Sequence, residues 1–257
     1  FFRAMHLLHD TYLKEFTQHT KNLEQQLEHF KESSKSLNFD YLTTSSSVYS
    51  SKIEGNSLDL NSFMNAQMNA DVRQEKSKDV AEIEDLMNAY LFAERNPLNE
   101  NNFLQAHNLA TTHLLDENLQ GKYRTERVGV FGREGLTYMA IEPEFVEEKM
   151  QELFADLSEL LKKKLTETGV FYYASQIHLI FVQIHPFADG NGRSARLLEK
   201  WFLTEKLGKE FWKLESERRY WEHRPEYYAN LNMGVNWYLI DYSQSLPFLL
   251  MLAKSVE

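Results

Sequence analysis

Residues 185–196 read His-Pro-Phe-Ala-Asp-Gly-Asn-Gly-Arg-Ser-Ala-Arg, and they directly follow the apolar run Ile-His-Leu-Ile-Phe-Val-Gln-Ile at 177–184. The apolar run predicts a buried helix that Pro186 cannot continue, so we expect His185 at the helix exit. A second, amphipathic helix is predicted to begin near Asn191 to Arg193. The stretch is therefore predicted to fold as a helix, a short glycine-rich loop and a second helix.

Glycines and arginines in this loop predict an anion-binding site. Gly190 and Gly192 let the backbone turn tightly and leave room for a ligand. The unpaired N–H groups at the start of the next helix attract anions, and so does the helix dipole. Arg193 and Arg196 lie three residues apart on one helical face, where two guanidiniums can hold phosphate oxygens.

The loop also carries an acid and a base. Asp189 can bind Mg²⁺, which prefers one carboxylate together with phosphate oxygens, and His185 at the rim can act as a general base. A calcium loop starting at Asp189 is excluded, because its fifth and twelfth positions would be Arg193 and Lys200 rather than oxygen ligands. Helical flanks argue against a hairpin turn, and His178 is interpreted as a packed core residue.

Composition limits the class of protein. The chain has 257 residues, a net charge of −10 and no cysteine. This length allows one sizeable core with helical extensions. No apolar run is long enough for a membrane span, and the acidic balance argues against a nucleic-acid partner, because binding phosphate backbones needs a basic surface. Without cysteine, thiol chemistry and disulfides are excluded, and we expect a cytoplasmic protein.

The scarcity of chain-breaking residues, ten glycines and five prolines, favours a mostly helical protein. A β-hairpin is predicted within Tyr123–Phe145, where alternating residues flank a Gly132–Gly135 turn. Helical spacing of apolar residues predicts helices over Met5–Ser33, Asn38–Glu54 (closed by Gly55), Asp79–Glu94, Leu104–Leu115, Phe145–Lys164, Phe171–Ile184 and Ser194–Leu207. We therefore expect an all-α fold with one small hairpin.

The segment 185–196 resembles the signature of the Fic domain, His-x-Phe-x-(Asp/Glu)-Gly-Asn-Gly-Arg-x-x-Arg, without departure. The resemblance extends upstream to Gly121-Lys-Tyr-Arg124 and to Pro143-x-x-Val146, and downstream to Tyr227-Tyr228-x-x-Leu231. It implies a Fic-type helical bundle with the hairpin as a flap beside the active-site loop. The expected organisation is an N-terminal helical region at 1–78 with an inhibitory helix at about 39–55, a Fic core at 79–207 with the flap at about 123–142, and C-terminal helices at 208–257 that pack on the core.

The resemblance implies a protein adenylyltransferase, which transfers AMP from ATP to a Ser, Thr or Tyr hydroxyl of a target protein. His185 would deprotonate the hydroxyl, Asp189 would hold Mg²⁺, and Phe187 would anchor the loop. The residues implied to bind the phosphates are Gly190, Asn191, Gly192, Arg193 and Arg196.

Two further contacts are implied by the resemblance. Tyr227 would lie beside the adenine, and the flap residues Val128, Val130 and Phe131 would bind the backbone of the target as an added strand. The partners expected are therefore ATP and a protein target, with neither nucleic acid nor membrane. The oligomeric state stays open, with a homo-oligomer among the alternatives.

The segment Ser50-Ser-Lys-Ile-Glu54-Gly-Asn56 resembles the inhibitory motif of the family, in the subclass with an N-terminal inhibitory helix. Ser50 and Glu54 are four residues apart and share one helical face. A carboxylate in the last turn opposes the helix dipole by ~0.3–1 kcal/mol, so a compensating cation is expected, and the resemblance nominates Arg196. Glu54 would then occupy the guanidinium that the γ-phosphate of ATP needs.

Two other functions use the same residues. In the first, the site runs in reverse, and Glu54 positions a water that hydrolyses AMP from a modified protein. In the second, the chain is a regulatory module that binds a nucleotide without turnover. The complete set of base, acid and arginines argues against the regulatory module.

Overall fold

Helices dominate the structure, as the scarcity of glycine and proline predicts. The computed structural model describes residues 6–68, 77–132 and 135–256. Its strands are β1 (Gly129–Gly132) and β2 (Gly135–Met139), which form one antiparallel hairpin. Its α-helices are α1 (Leu13–His19), α2 (Leu23–Ser34), α3 (Phe39–Ile53), α4 (Leu60–Met68), α5 (Lys78–Arg95), α6 (Glu100–Ala110), α7 (Pro143–Lys162), α8 (Glu167–Ile184), α9 (Asn191–Leu207), α10 (Ser216–Glu222), α11 (Arg224–Leu231) and α12 (Leu246–Ala253). The predicted all-α fold with a small hairpin is confirmed.

The central helix is α8, against which α7, α9 and α12 pack. Thr166 caps its start by accepting a hydrogen bond from Gly169 N, and every residue of the helix except Glu167 and Val182 is buried. A helix that is apolar on nearly all sides has to lie inside the protein. Within the described ranges, no helix is long and apolar enough to cross a membrane.

Residues 5–33 do not form the single helix that their apolar spacing predicts. Residues 6–12 are not helical, and α1 and α2 are separate; Met5 lies outside the described residues. The backbone N–H groups of Leu8 and His9 donate to the side chains of Asp156 and Gln176, each at 2.9 Å. Because α7 and α8 supply these acceptors, the N-terminal segment is held by tertiary hydrogen bonds in place of helical ones.

The predicted helix Leu104–Leu115 is also wrong in its bounds, since α6 spans Glu100–Ala110. Asn99 caps the start by accepting from Asn102 N at 2.9 Å, as asparagine at an N-cap does. After Ala110 the chain leaves the helix, and the Thr111 hydroxyl donates to His107 O at 2.7 Å. The structure also contains α4, where the sequence predicts only a polar stretch.

The predicted helix that ends at Gly55 is confirmed as α3. Asn38 accepts from Tyr41 N at 2.9 Å and so caps its start. Gly55 has a φ of +104°, which glycine adopts without strain. Most of the buried side chains of α3 carry hydroxyls: Thr43, Thr44, Ser45, Ser46, Ser47, Ser50 and Ser51. Ser45, Ser46 and Ser50 hydrogen-bond to residues outside the helix, so α3 packs on the core partly through polar contacts.

A fully buried ion pair holds the middle of α3 to the core. Lys200 Nζ and Glu217 Oε2 are 2.7 Å apart, and both side chains are completely inaccessible to solvent. Lys200 also donates to Ser46 Oγ at 2.7 Å, and Ser46 donates to Glu217 at 3.0 Å. The Tyr90 hydroxyl satisfies the second oxygen of Glu217 at 2.7 Å. The pair therefore has the full hydrogen bonding that buried charges require.

Glu217→Ala should lower the free energy of unfolding by about 3–5 kcal/mol, because it leaves the buried ammonium of Lys200 without its counter-ion. Urea denaturation measures the change. Glu222→Ala is the matched control, because Glu222 pairs with Arg218 on the surface, where an ion pair contributes at most about 1 kcal/mol. Equal losses in the two variants would contradict this interpretation of the buried pair.

Candidate active site

The exit of α8 places His185 in a strained backbone conformation. His185 has φ 52° and ψ 59°, in the left-handed region, and is the only non-glycine residue with positive φ among the described residues. Such a conformation persists only where the surrounding structure fixes it, and it occurs often at functional sites. The prediction that His185 stands at a helix exit is confirmed, and Pro186 follows it as the residue that ends the helix.

One nitrogen of the His185 ring is free to accept a proton. His185 Nδ1 lies 3.1 Å from Val182 O. Because a carbonyl only accepts hydrogen bonds, Nδ1 must carry the proton, and Nε2 of the neutral ring keeps its lone pair. Burial lowers the pKa of His185 below its ordinary value of 6.5. The ring is therefore neutral at pH 7 and is suited to act as a general base.

The start of α9 offers unpaired N–H groups. Gly190 is its N-cap, with φ 78° and no side chain to cap the helix. The first intrahelical bond runs from Ser194 N to Gly190 O. The N–H groups of Asn191, Gly192 and Arg193 consequently have no acceptor within the helix. Together with the dipole of the 17-residue helix, these N–H groups favour an anion at this position.

Side chains behind the loop hold it in shape. Asn191 accepts from Phe187 N and donates to Phe187 O, each at 2.9 Å. Its side chain is thus engaged with the loop, and only its backbone N–H is left for a ligand. Phe187 is fully buried and stacks on His107 with ring centroids 3.5 Å apart. The expectation that Phe187 faces inward is confirmed.

His107 fixes the loop from α6, a contact that the sequence reasoning missed. Its Nδ1 accepts from Gly121 N at 2.9 Å, so Nε2 carries the proton and donates to Asp189 O at 3.1 Å. Burial lowers the pKa of His107 to about 4, which keeps the ring neutral. A lone histidine in an amphipathic helix gave no sequence signal for this contact.

Both arginines of the loop lie at the site, and both are already bound by acids. Arg193 Nη1 lies 3.4 Å from Glu82 Oε2 on α5, and Arg193 Nε is buried without a hydrogen-bond partner. Arg196 is fully buried and donates from Nη2 to Glu54 Oε1 at 2.7 Å. The ion pair between Glu54 and Arg196 that the motif predicts is therefore present.

Ser50 completes the contact between α3 and Arg196. Arg196 Nε donates to Ser50 Oγ at 2.8 Å, and Arg196 Nη2 donates to Ser50 O at 3.0 Å. Ser50 and Glu54 thus use the same face of α3, as their spacing of four residues predicts. Burial alone would raise the pKa of Glu54, but the Arg196 guanidinium outweighs burial and leaves that pKa below its ordinary value.

Glu54 lies in the anion site as well as on Arg196. A methyl group added at Gly192 would overlap Glu54 Oε1, so the carboxylate lies directly against the first turn of α9. The Glu54 side chain is 32% exposed, and it lines the adjoining cavity. A carboxylate from α3 therefore lies at the N-terminus of α9, between Gly192 and Arg196.

A cavity of about 920 Å³ opens beside the loop. His185, Gly192 and Glu54 line one side, and residues of α11 and of the hairpin line the other. This volume is in the range of sites for small molecules and cofactors. The cavity is therefore large enough for a nucleotide placed with its phosphates toward α9.

Two tyrosines of α11 line the cavity in different ways. Tyr227, the residue predicted to lie beside an adenine, is 1% exposed. Its hydroxyl contacts Arg196 Nη1 at 3.2 Å and His178 Nε2 at 2.9 Å. Tyr228 is 41% exposed, and its hydroxyl donates to Ile53 O at the end of α3. Tyr227 supports Arg196, while Tyr228, which the sequence reasoning missed, offers the more accessible ring.

The core interpretation of His178 is confirmed. Its side chain is fully buried between α8 and its neighbours, with Nδ1 2.8 Å from Glu199 Oε2. Its other ring nitrogen meets Tyr227, so both ring nitrogens have partners. His178 therefore belongs to the polar network behind Arg196 and does not line the cavity.

The fit of Mg²⁺ depends on Asp189. Asp189 is exposed, and its Oδ1 accepts from Gly190 N at 2.6 Å. Within the described ranges, no group of three or more His, Cys, Asp or Glu side chains could hold a metal ion. A single carboxylate at an anion site suits Mg²⁺, which takes one or two carboxylates with phosphate oxygens. The residues present therefore fit Mg²⁺ that arrives together with phosphates.

The hairpin places its predicted residues beside the cavity. Val130 and Phe131 line it, and Phe131 is 73% exposed. Val128 precedes β1, and its carbonyl accepts from Ala140 N. Among the described residues β1 pairs only with β2, with a bulge between Val130 and Phe131. The other edge of β1 is consequently unpaired; the turn residues Arg133 and Glu134 lie outside the described residues.

The structure is a mostly helical protein in which a left-handed histidine ends one core helix and a glycine-rich loop leads into the next. Residues 97–203 match the Fic/DOC family, and the chain therefore carries a Fic/DOC family domain. A comparison of the sequence with curated proteins finds no match.

Solved structures of Fic proteins share the fold. A Fic family protein from Desulfovibrio desulfuricans G20 has a TM-score of 0.73 and 23% identity, over 96% of this chain and 72% of that one. A Fic domain containing signaling protein from Bacteroides thetaiotaomicron VPI-5482 has a TM-score of 0.63 and 20% identity, over 96% and 94%. Fic-1 from C. elegans has a TM-score of 0.64 and 20% identity, over 93% and 70%. At these identities the likeness concerns the fold.

His107→Phe should loosen the active-site loop without creating a cavity in the core. The phenyl ring keeps the stack on Phe187, but Gly121 N and Asp189 O lose partly buried hydrogen bonds, which costs about 1 kcal/mol for each bond. Hydrogen exchange at the amides of Phe187 and Ser194, which donate to Asn191 Oδ1 and Gly190 O, should accelerate about tenfold or more. His29→Phe, an exposed change on α2, is the control. Unchanged exchange in the loop of the His107 variant would refute the role assigned to His107.

Proposed function

We propose that this chain is a protein adenylyltransferase that transfers AMP from ATP to a Ser, Thr or Tyr hydroxyl of a target protein. We further propose that α3 holds it inactive. Proteins with a Fic domain typically transfer nucleotide-like groups. The observation that carries the proposal is the position of Glu54, whose carboxylate lies both on Arg196 and against Gly192. An anion of the chain itself occupies a site suited to the phosphates of a nucleotide.

The proposed reaction is one displacement at the α-phosphorus of ATP. His185 Nε2 accepts the proton of the target hydroxyl, and the hydroxyl oxygen forms a bond to the α-phosphorus. The bond from that phosphorus to the oxygen bridging to the β-phosphate breaks, and pyrophosphate leaves. The products are the AMP-modified target, pyrophosphate and a protonated His185, which returns its proton to solvent. A neutral His185 with an unprotonated Nε2 supports the first step.

The remaining loop residues would bind and orient the triphosphate. The free N–H groups of Asn191 and Gly192 would hold phosphate oxygens. Arg193 and Arg196 would neutralise the outer phosphates, as arginines do in phosphoryl transfer. Asp189 would hold Mg²⁺, which supplies positive charge between the phosphates when it is bound. Positioning and charge compensation would carry most of the rate enhancement.

The target would bind along the hairpin. An extended segment that adds to the unpaired edge of β1 would be held by main-chain hydrogen bonds. Val130 and Phe131 line the cavity that also holds His185, so a hydroxyl carried by such a segment would reach the base. The unpaired edge of β1, the exposure of Phe131 and the shared cavity support this placement.

Inhibition by α3 would act through Arg196. With Glu54 in place, the guanidinium that the γ-phosphate requires is engaged, and ATP would bind with its α-phosphate out of line for attack. Small misplacements of this kind cost orders of magnitude in rate. Displacement of α3 would free Arg196 and the first turn of α9 together.

A second candidate is the reverse reaction, hydrolysis of AMP from a modified protein. The observation that favours it is the partial exposure of Glu54 toward the cavity, where a carboxylate can orient an attacking water. This function requires an intact Glu54, whereas transfer is restrained by it. The same variant therefore separates the two functions.

Glu54→Gly should raise AMP labelling of target or of the chain itself by about tenfold or more, because it frees Arg196 for the γ-phosphate. Labelled ATP with a host lysate measures the gain. Adding His185→Ala should cancel it, with a loss of about 10²-fold or more, since the base is removed. Glu94→Gly, which changes a residue of α5 that pairs with Lys209 and does not line the cavity, is the control. If Glu54→Gly labels no better than the parent with any nucleotide, inhibition by α3 is refuted. If the parent removes AMP from a modified protein and Glu54→Gly does not, the hydrolase is favoured.

A further inference from the structure

The last turn of α8 leaves carbonyl groups that the helix cannot satisfy. Phe181 O accepts from His185 N at 3.0 Å, and Val182 O accepts from the His185 ring. Gln183 O accepts from the Tyr138 hydroxyl of β2 at 2.8 Å. The carbonyls of residues 184, 185 and 186 remain, and they surround the strained backbone of His185.

Arg124 satisfies all three of these carbonyls. Its Nη2 donates to Ile184 O at 3.4 Å, its Nε donates to His185 O at 2.8 Å, and its backbone N–H donates to Pro186 O at 2.9 Å. One residue therefore fixes the peptide groups on both sides of His185. Only the planar fork of a guanidinium supplies several donors in fixed directions at such a site.

Arg124 forms no direct ion pair among the described residues, although the Glu142 carboxylate acts on its charge from beyond contact distance. The guanidinium is 4% exposed and also donates to Glu126 O at 2.8 Å and Ile141 O at 2.5 Å. All its acceptors are thus backbone carbonyls, and none of the ion pairs in the described part of the chain includes it. Burial lowers the pKa of Arg124, yet the group stays charged, as arginine does in proteins.

We propose that Arg124 is a positioning residue for the base: its guanidinium holds the left-handed backbone of His185 and places a positive charge beside it. It does not touch the reacting atoms and acts only through His185. The consequence for transfer rests on the proposed function, whereas the effect on the imidazole does not.

The groups that face His185 set the direction of the effect. Burial lowers its pKa most, and the Arg124 charge lowers it further. Glu54 of α3 and Asp189 of the loop raise it, as does the hydrogen bond to Val182 O. Removing the charge at position 124 removes one of the effects that favour the neutral ring. The ring should then take up a proton at a higher pH.

The test compares Arg124→Gln, Arg124→Lys and the matched control Arg127→Gln, which changes an exposed arginine three residues away. The first readout is the titration midpoint of the His185 ring by NMR, with His185→Ala used to assign the resonance. Arg124→Gln should raise the midpoint by about half a pH unit or more, because a positive charge is lost. Arg124→Lys should leave the midpoint near that of the parent, because the charge is kept.

The second readout is transfer in the Glu54→Gly background. Arg124→Gln should lower the rate constant by about 10²-fold while nucleotide affinity changes less than about threefold, since the loss concerns the base. Arg124→Lys should lower it by about tenfold, since an ammonium cannot reach all the carbonyls in the directions of the fork. The acidic limb of the pH profile should move up for Arg124→Gln alone. Arg127→Gln should change none of these quantities.

Several outcomes would overturn the assignment. An unchanged midpoint in folded Arg124→Gln would show that its charge does not act on His185. A parallel loss of rate and nucleotide affinity would make Arg124 a general support of the loop. If Arg124→Gln does not fold, the transfer rate constant of Arg124→Lys becomes the test. A rate constant equal to that of the parent would then refute the positioning role. If Glu54→Gly transfers nothing, the proposed function fails, and the NMR midpoints alone still decide the effect of Arg124.

Discussion

The charge of Arg196 is the constraint on which the site depends. Its guanidinium is fully buried in the core helix α9, and a buried charge has to be compensated by partners inside the protein. Ser50 and Glu54 of α3 supply the hydroxyl, the carbonyl and the carboxylate that do so, and Tyr227 adds its hydroxyl. Without α3, Arg196 would keep only the tyrosine. Either α3 or another anion must therefore occupy the site.

The contact between α3 and α9 is a polar strip. Ser46, Ser50 and Glu54 follow one another at intervals of four residues, and they meet Lys200, Arg196 and Gly192, which have the same spacing in the opposite direction. The two cations differ in one respect. Lys200 has Glu217 of α10, a residue outside α3, as its counter-ion. The counter-ion of Arg196 is Glu54, so displacement of α3 would leave the Arg196 guanidinium without an anionic partner, next to the N–H groups of α9. We propose that a triphosphate then takes the place of the Glu54 carboxylate.

Much of the site could be predicted from the sequence because its parts are local. The helix exit at His185, the turn at Gly190 and the face shared by Ser50 and Glu54 follow from spacing and from proline and glycine chemistry. What the sequence could not show depends on long-range contacts. The N-terminal segment is non-helical because α7 and α8 accept its hydrogen bonds, and His107 and Arg124 matter through carbonyls far away in the chain. The resemblance implies that Tyr227 lies beside the adenine, and Tyr227 does line the cavity. Only the structure shows that its hydroxyl serves Arg196.

The central claim is that Glu54 denies the γ-phosphate its guanidinium, and the most direct measurement compares the affinities of ATP and ADP by calorimetry in the presence of Mg²⁺. In the parent chain the two dissociation constants should agree within about threefold, because the γ-phosphate finds Arg196 engaged. In Glu54→Gly, ATP should bind about tenfold or more tighter than ADP, as one charge-assisted bidentate contact provides. A parent chain that already prefers ATP by that factor, with the same preference in the variant, would contradict the account.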